Sequence, residues 1–265
     1  MTAGKYCSIV EMGVAMRTSC RGGSVSMSDF QKNTVYAAAD VLSASPALQT
    51  YVDHYPFQLT GPIRVEQAVA KRVIDVAVSI MALIALFPLL LAVAIMIRLD
   101  SPGPVLFTQV RWGKDCRKIK VYKFRSMRID NCDVTGVLQT KVNDPRITRI
   151  GAIIRRTNID ELPQLLNVLK GDMSLVGPRC HAIGMLAAGI PYEDLVPHYH
   201  RRHLVKPGMT GLAQMRGLRG PTDRAAKARA RIACDLYYID NFNLRLDLKI
   251  MVLTVWNELR GGNGF

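Results

Sequence analysis

The chain has 265 residues, of which 49% are hydrophobic, and carries a formal net charge of +14 at pH 7. This length suits one catalytic domain plus an extension, and the positive charge indicates an anionic partner such as nucleic acid, acidic lipid or a phosphorylated substrate. Six scattered cysteines, with no Cys-x-x-Cys pair and no histidine at zinc-ligand spacing, argue against a zinc module and against a disulfide framework.

The N-terminal region, residues 1–66, is predicted to be a poorly ordered cytosolic extension rich in Ser, Ala and Thr, with at most a short helix at Val35–Leu42. It contains no apolar run long enough for a signal peptide or a membrane span. The excess of positive charge lies entirely after residue 70, where 30 basic residues accompany 16 acidic ones.

Residues 67–100 form the second predicted region, a membrane segment. The run from Val76 to Ile97 has 22 residues without a charge, and Pro88 lies near its middle. Basic residues flank both ends, and the positive-inside rule places such flanks in the cytosol. We therefore predict a re-entrant helix hairpin broken at Pro88, which enters and leaves by one membrane face. An ordinary anchor helix with a mild kink is the alternative.

Residues 101–265 are predicted to form a small cytosolic domain that begins with two strands. Residues 105–113, VLFTQVRWG, are rich in β-branched and aromatic side chains, which favours a strand. Lys120–Met127 alternates basic and apolar residues, as a strand with one cationic face would. Its Lys123 and Arg125 are expected to face lipid headgroups or a substrate phosphate, although a solvated strand face explains the same pattern.

An acidic pair, Asp160 and Glu161, stands in an otherwise cationic stretch between Arg155 and Arg179. Carboxylates among arginines suggest a phosphate-handling site, in which arginines hold the anion and a carboxylate attacks it or carries a metal. The bland alternative is that Asp160 is the N-cap of a helix that starts at Glu161 and ends before Gly171.

The C-terminal part is predicted to contain a Gly-rich turn at Pro207–Gly211, a basic helix at Arg224–Tyr238 and an amphipathic helix at Leu244–Leu259. The turn could bring backbone N–H groups close to phosphate. The last helix suits either a membrane surface or core packing. A cluster of His198, His200 and His203 beside two arginines is interpreted as a solvated or anion-facing basic patch.

Together these motifs resemble the bacterial sugar transferases, the monotopic polyprenyl-phosphate glycosyl-1-phosphate transferases, and in particular their short exopolysaccharide-type members. The resemblance covers about Lys71 to Leu253. It is carried by six motifs in the family's order: KRVID at 71–75, SPGPVLFTQVRWG at 101–113, KFRSM at 123–127, NDPRITRIG at 143–151, IDELPQLLNVLKGDMSLVGPR at 159–179 and KPGMTGLAQ at 206–214.

The resemblance implies a mostly helical α+β fold on a re-entrant helix, at the cytoplasmic face of the bacterial inner membrane and in contact with its lipid. It also implies a reaction, in which a UDP-sugar gives its sugar-1-phosphate to undecaprenyl phosphate and releases UMP. Exopolysaccharide or related glycan synthesis would begin with this step. Association into a homo-oligomer is left open, and neither the sugar nor the final polymer is specified.

Individual roles are also implied by the resemblance. Asp160 would be the nucleophile that forms a phospho-sugar intermediate, and Glu161 would support catalysis. The two carboxylates together would bind Mg²⁺. The substrate-phosphate site is expected to include five residues: Arg155, Arg179, Lys123, Arg125 and Asp235.

The chain departs from the family pattern at three places. Cys180 replaces the usual Pro after Arg179, Phe87 replaces the common Ser before Pro88, and residues 217–220 read Gly-Leu-Arg-Gly. None of these changes removes a proposed catalytic group. The alternative function, a membrane-anchored nucleic-acid-binding or scaffold protein, accounts for the charge but not for the carboxylate pair or the Pro-centred segment, so no nucleic acid is expected as a partner.

Overall fold

The computed structural model describes residues 65–128, 144–196 and 198–260. The helices in these ranges are α1 (Val65–Asp100), α2 (Arg149–Arg156), α3 (Gln164–Lys170), α4 (Tyr192–Leu195), α5 (Leu212–Met215), α6 (Ala225–Asp240) and α7 (Leu244–Leu259). The strands are β1 (Leu106–Trp112), β2 (Lys118–Phe124), β3 (Ser174–Val176), β4 (Leu186–Ala187), β5 (Ile190–Pro191) and β6 (Gly208–Thr210). This mixture confirms the mostly helical α+β fold. The predicted extension lies outside the described residues apart from its last two positions.

Helix α1 is the long apolar element that the uncharged run predicts. Its segment Gln67–Asp100 is long and apolar enough to cross a membrane, and only 11% of its most apolar window is buried. The helix continues through Pro88, so the predicted division into two helical arms is not seen in the backbone. Leu83 before the proline and Leu90 after it both pack against the folded body. The re-entrant arrangement itself stays a prediction.

The N-terminal end of α1 is fixed to the body by charged side chains. Arg72 donates to the carbonyl oxygens of Val168 (2.6 Å) and Leu169 (2.8 Å), which are last-turn carbonyls of α3. The carboxylate of Asp75, which is buried, accepts from the backbone N–H of Leu175 at 3.1 Å. These bonds pair carbonyls that the end of α3 leaves free and a backbone N–H in the middle of β3.

The C-terminal end of α1 is attached to the same body through Arg125. This buried arginine donates to the carbonyls of Ile97 (3.3 Å), Ser101 (2.7 Å) and Pro102. Carbonyls at a helix C-terminus carry partial negative charge, so a guanidinium is a favourable cap there. The Asp100 carboxylate accepts from the N–H of Ile150 at 3.1 Å and thereby joins the helix end to α2.

The first two strands form an antiparallel hairpin with Leu106 opposite Phe124 and Trp112 opposite Lys118. This confirms both predicted strands. Asn167 of α3 clamps β2 because its amide group donates to the carbonyl of Lys120 (2.6 Å) and accepts from the N–H of Tyr122 (2.9 Å). The clamp sets β2 beside the segment that carries the acidic pair.

Helices α6 and α7 form the other side of the core. Helix α6 buries most of its length, including Cys234 and Leu236, and α7 contributes Ile250. The predicted Leu244–Leu259 helix is confirmed at the same boundaries, and the predicted Arg224–Tyr238 helix is confirmed within two residues.

The predicted Gly-rich turn at Pro207–Gly211 is wrong, because residues 208–210 form strand β6, which pairs in parallel with β3. The N–H of Gly208 already donates to the carbonyl of Pro178 at 2.9 Å. Since that donor has a protein partner, the segment does not present it to phosphate.

Candidate active site

Asp160 and Glu161 lie in a single 3-10 turn, Ile159–Glu161, between α2 and α3. Asn158 enters the turn in the left-handed conformation with φ 54°, which Asn tolerates better than most residues. Its side-chain amide donates to Glu258 of α7 at 2.9 Å. The turn is thus held by the C-terminal helix.

The interpretation of Asp160 as a helix N-cap is wrong. Helix α3 begins at Gln164 rather than at Glu161, and neither the 3-10 turn nor α3 has a side-chain cap. The predicted helix end is confirmed, because Gly171 follows α3 with φ 89°. Asp160 is buried, with 7% of its surface exposed. Burial of a carboxyl group that does not cap a helix calls for another explanation.

Glu161 is held between two cations. Lys123 Nζ lies 2.7 Å from Glu161 Oε1, and both Arg179 Nη atoms donate to the same carboxylate, Nη1 to Oε2 at 3.1 Å and Nη2 to Oε1. Burial alone would raise the pKa of Glu161, but the charges of Arg179 and Lys123 outweigh it and hold the pKa well below its ordinary value. Glu161 is therefore ionised at neutral pH.

Asp160 is perturbed in the opposite direction. Burial raises its pKa to about 6; the charge of Lys123 opposes that rise, and the neighbouring Glu161 carboxylate adds to it. Arg155 and Arg179 also lower the pKa, by smaller amounts. Asp160 is thus a desolvated carboxyl group whose pKa lies close to neutral pH. Such a shift is more typical of reactive groups than of structural ones.

Arg179 is presented by a close contact between two glycine backbones. A Cβ on Gly177 would lie 2.6 Å from the Lys206 carbonyl oxygen, and one on Gly208 would lie 2.1 Å from the Gly177 nitrogen. Only glycine at both positions allows β3 and β6 to approach this closely. The side chain of Arg179 lies against Glu161.

Arg155 also lies near the acidic pair, on α2. Its Nη1 atom is 3.4 Å from Ser126 Oγ, and its charge acts on Asp160. Helix α2 can pack this close to the end of β2 because residue 151 is a glycine. A Cβ at this position would lie only 2.0 Å from the Ser126 carbonyl oxygen. The structure therefore brings together Asp160, Glu161, Lys123, Arg155 and Arg179.

Two other predicted site residues have different surroundings. The guanidinium of Arg125 binds the C-terminal end of α1 through three carbonyls. Asp235 is buried and pairs with Arg202, at 2.7 Å from Nη2 and 3.1 Å from Nε. Because Arg202 also donates to the Arg179 carbonyl, Asp235 supports the site from behind. Direct phosphate contacts by Arg125 and Asp235 stay predictions.

The predicted histidine patch is exposed only in part: His198 is exposed and His200 is partly exposed. Arg202 and His203 are buried, with 1% and 6% of their surfaces exposed, because this segment packs against α6 and the β1–β2 hairpin. Burial, with the charges of Arg202 and His200, lowers the pKa of His203 to about 3, so this side chain is neutral at pH 7.

Arg111 and Arg202 are site-supporting residues that sequence reasoning did not single out. Arg111 Nη1 donates to the Cys180 carbonyl at 3.0 Å, next to Arg179, and its Nε donates to the Gln109 side chain at 2.9 Å. Burial lowers the pKa of Arg111. Both arginines donate to backbone carbonyls at or next to Arg179. The spacing of residues in the sequence does not predict such contacts.

Comparison with known proteins relates the sequence of this chain to a family. A family model described as "Bacterial sugar transferase" matches residues 66–261. The chain is 70% identical over 197 residues to the exopolysaccharide production protein PSS of Rhizobium leguminosarum bv. phaseoli, an alignment that covers 74% of this chain and 98% of that protein.

Two further relatives are enzymes by name. The chain is 46% identical over 214 residues to the undecaprenyl-phosphate glucose phosphotransferase of Komagataeibacter xylinus, covering 79% of this chain and 40% of that protein. It is 46% identical over 206 residues to the UDP-glucose:undecaprenyl-phosphate glucose-1-phosphate transferase of Caulobacter vibrioides, covering 77% and 76%. The chain thus spans less than half of the Komagataeibacter protein.

Proposed function

The chain belongs to the bacterial sugar transferase family, and from this premise we propose that it transfers a sugar-1-phosphate from a UDP-sugar to undecaprenyl phosphate and releases UMP. The names of the Komagataeibacter and Caulobacter relatives support this acceptor and a glucose donor. The name of the Rhizobium relative supports a place in exopolysaccharide production. The product would be the first membrane-held intermediate of that synthesis.

The observation that carries the proposal is the opposite perturbation of two adjacent carboxylates inside one group of cations. The negative charge of Glu161 is balanced by Lys123 and Arg179, whereas Asp160 is buried and its pKa is raised to about 6. A carboxylate that attacks a phosphate needs nearby cations that reduce the repulsion between the two anions. Its attacking lone pair must also not be occupied by a strong hydrogen bond or ion pair. Asp160 meets that requirement, and Glu161 keeps the cations in place.

The reaction would proceed through two displacements at one phosphorus atom. An Asp160 carboxylate oxygen attacks the phosphorus that bears the sugar, and the bond to the UMP oxygen breaks with its electron pair on UMP. An oxygen of undecaprenyl phosphate then attacks the same phosphorus, and the Asp160 carboxylate leaves. The covalent route lets a soluble nucleotide sugar and a lipid phosphate use one pocket in turn.

The cations would stabilise charge as it moves between phosphate oxygens. Arg179 and Arg155, whose charges both act on Asp160, would face a phosphoryl group beside it, and each well-aimed donor contributes on the order of 3–4 kcal/mol in such sites. Lys123 reaches the same place from β2. Because Arg179 already forms two hydrogen bonds to Glu161, its guanidinium is oriented before substrate arrives.

The residues of the pair fit a magnesium ion by the chemistry of their donors. Carboxylate oxygens are the hard ligands that Mg²⁺ prefers, and Glu161 Oε2 receives a hydrogen bond from Arg179 alone among the described residues, which leaves a lone pair available. Asp160 and Glu161 would hold the ion. When bound, it would neutralise diphosphate charge and ease the departure of UMP.

A location at the cytoplasmic face of the inner membrane is part of the proposal. A helix that crosses the hydrocarbon core, about 30 Å thick, places its ends on opposite faces, but both ends of α1 bind the same folded body. That attachment supports a monotopic, re-entrant arrangement. Helix α7 adds an exposed apolar face, formed by Leu248, Val252, Val255 and Trp256, which suits an interfacial helix.

The test is UMP release by the purified full chain with undecaprenyl phosphate and a panel of UDP-sugars, starting with UDP-glucose. Asp160→Asn should lower turnover by at least about three orders of magnitude, and Asp172→Asn, a partly exposed aspartate paired with Lys170, should leave it near wild type. Ping-pong kinetics and a labelled sugar phosphate on the Asp160 peptide are expected. Full UMP release by Asp160→Asn, or label on another residue, would refute the nucleophile.

A further inference from the structure

The tip of the β1–β2 hairpin brings Cys116 next to two histidines of the later 3-10 turn Tyr199–Leu204. Cys116 Sγ lies 3.5 Å from His203 Nδ1 and 4.0 Å from His200 Nδ1. One ligand atom from each of the three residues lies within 4.8 Å of the others. This cluster lies outside the carboxylate pair, and the proposed transfer reaction does not use it.

The backbone on both sides of the cluster aims these side chains at one another. Asp115 and Cys116 have φ 54° and 55°, and two successive non-glycine residues in the left-handed region are uncommon. The turn is closed by a 2.7 Å bond from the Gly113 N–H to the Arg117 carbonyl. In a 3-10 helix, residues i and i+3 lie on one face, so His200 and His203 point the same way.

The outer contacts of the histidines leave Nδ1 directed at the cluster. Glu193 Oε2 lies 3.3 Å from His200 Nε2. A carboxylate on the far ring nitrogen is the arrangement that fixes the tautomer and orientation of metal-binding histidines. His203 packs tilted against Trp112 at 6.2 Å and edge-on against Tyr199 at 5.6 Å between ring centroids, which restrains its ring.

We propose that Cys116, His200 and His203 form a binding site for a transition-metal ion of the zinc class. Tetrahedral coordination with a Zn–S distance of about 2.3 Å and a Zn–N distance of about 2.0 Å places sulfur and nitrogen about 3.5 Å apart, close to the 3.5 and 4.0 Å found here. Thiolate and imidazole ligands select such ions and not Mg²⁺. The site is thus chemically distinct from the hard oxygen donors of Asp160 and Glu161.

Occupancy of this site would connect two segments that support Arg179. Arg111, near the tip of β1, binds the Cys180 carbonyl, and Arg202, between the two histidines, binds the Arg179 carbonyl. A metal held by Cys116, His200 and His203 ties those segments together. We infer that the ion stabilises the phosphate-binding loop and takes no part in the chemistry at Asp160.

The test uses the full chain in detergent, titrated with Co²⁺ as a spectroscopic substitute for zinc in the presence of excess Mg²⁺. Wild type should develop a thiolate-to-cobalt charge-transfer band that saturates at a single equivalent. Cys116→Ser should lose the band. His198→Asn is the matched control, because His198 is an exposed neighbour outside the cluster with φ 60°, a conformation that Asn accepts, and it should keep the band. No band in wild type, or the same band in Cys116→Ser, overturns the site.

A second measurement does not depend on how the variants fold. Alkylation of Cys116 in wild type, followed by mass spectrometry of its peptide, should slow at least about tenfold with stoichiometric Zn²⁺, because a metal-bound thiolate is less available. In a separate Co²⁺ titration, Glu193→Gln should weaken the affinity for Co²⁺ by about tenfold. Alkylation that is unaffected by Zn²⁺ counts against the site, and because no sugar transfer is measured, this result is independent of the function proposed for Asp160.

Discussion

Asp160 and Glu161 are adjacent in the chain, yet their pKa values are shifted in opposite directions. Glu161 lies between Arg179 and Lys123, which hold its pKa well below the ordinary value, whereas burial raises the pKa of Asp160 to about 6. The 3-10 turn produces this difference by directing successive side chains into different surroundings. One carboxylate is a fixed counter-charge, and the other has the raised pKa that the proposed nucleophile is expected to have.

The first prediction concerns the pH dependence of sugar phosphate transfer. Asp160 must be ionised to attack, so kcat/KM for the UDP-sugar should fall as pH drops through about 6, by about tenfold per pH unit below it. A steady-state pH profile from pH 4.5 to 8 measures this. An acid limb centred near 4, the ordinary carboxyl range, would contradict it.

The second prediction is that removal of the Asp160 charge stabilises the protein. The folded-state pKa is raised, so ionisation costs stability as pH rises from the unfolded value to about 6, and the loss is complete above that. Asp160→Asn should therefore raise the unfolding free energy at pH 7.5 by about 1–3 kcal/mol, while abolishing turnover. Thermal unfolding without divalent cations measures this.

The control for this effect is Asp172→Asn, which should leave the midpoint unchanged. The difference between Asp160→Asn and wild type should also vanish below about pH 3, because Asp160 is then protonated in both states. A destabilised Asp160→Asn variant at pH 7.5 would show that the carboxylate is structural.

The third prediction tests Lys123 as the cation that keeps Asp160 ionisable. Among the charges that lower the Asp160 pKa, that of Lys123 is the largest. Lys123→Gln should move the acid limb of the pH profile to higher pH and lower turnover at pH 7 by at least about tenfold. Lys120→Gln, an exposed lysine on the same strand, is the control. An unmoved acid limb would exclude the proposed role.

The fourth prediction separates support from contact at Asp235. Asp235→Asn leaves the buried Arg202 without its charge partner, so the unfolding free energy should fall by about 3–5 kcal/mol together with turnover. A residue that only touched substrate phosphate would change KM and leave stability intact. Urea unfolding and kinetics are compared with Asp223→Asn, an exposed aspartate at the start of the same region.

The elements with strong local signals were predictable. The apolar run of α1, the alternation of β2 and the helical spacing of α7 each depend on residues close in sequence, and all three elements are present. The exact form of Pro207–Gly211 was not predictable, because Gly208 serves as a strand residue that lets the Gly177 backbone approach. That requirement comes from a partner about 30 positions away.

The site was predictable in its charged residues but not in their division of labour. Arg125 and Lys123 stand two apart on what the pattern presented as one cationic face, yet Lys123 binds Glu161 and Arg125 binds the end of α1. Strand β2 ends at Phe124, so Arg125 lies beyond the strand, where it is buried. The pairing of Asp235 with Arg202 was equally hidden, since ion-pair partners in a folded domain follow no fixed spacing.

The attachment of the N-terminal end of α1 has a consequence for biosynthesis. Arg72 binds carbonyls 96 and 97 positions downstream, Asp75 binds an amide 100 positions downstream, and Lys71 binds Asp247, which is 176 positions downstream. The apolar helix therefore emerges from the ribosome before the residues that it binds have been synthesised. During that interval lipid or a chaperone has to shield it, and the globular part closes onto a helix that is already in place.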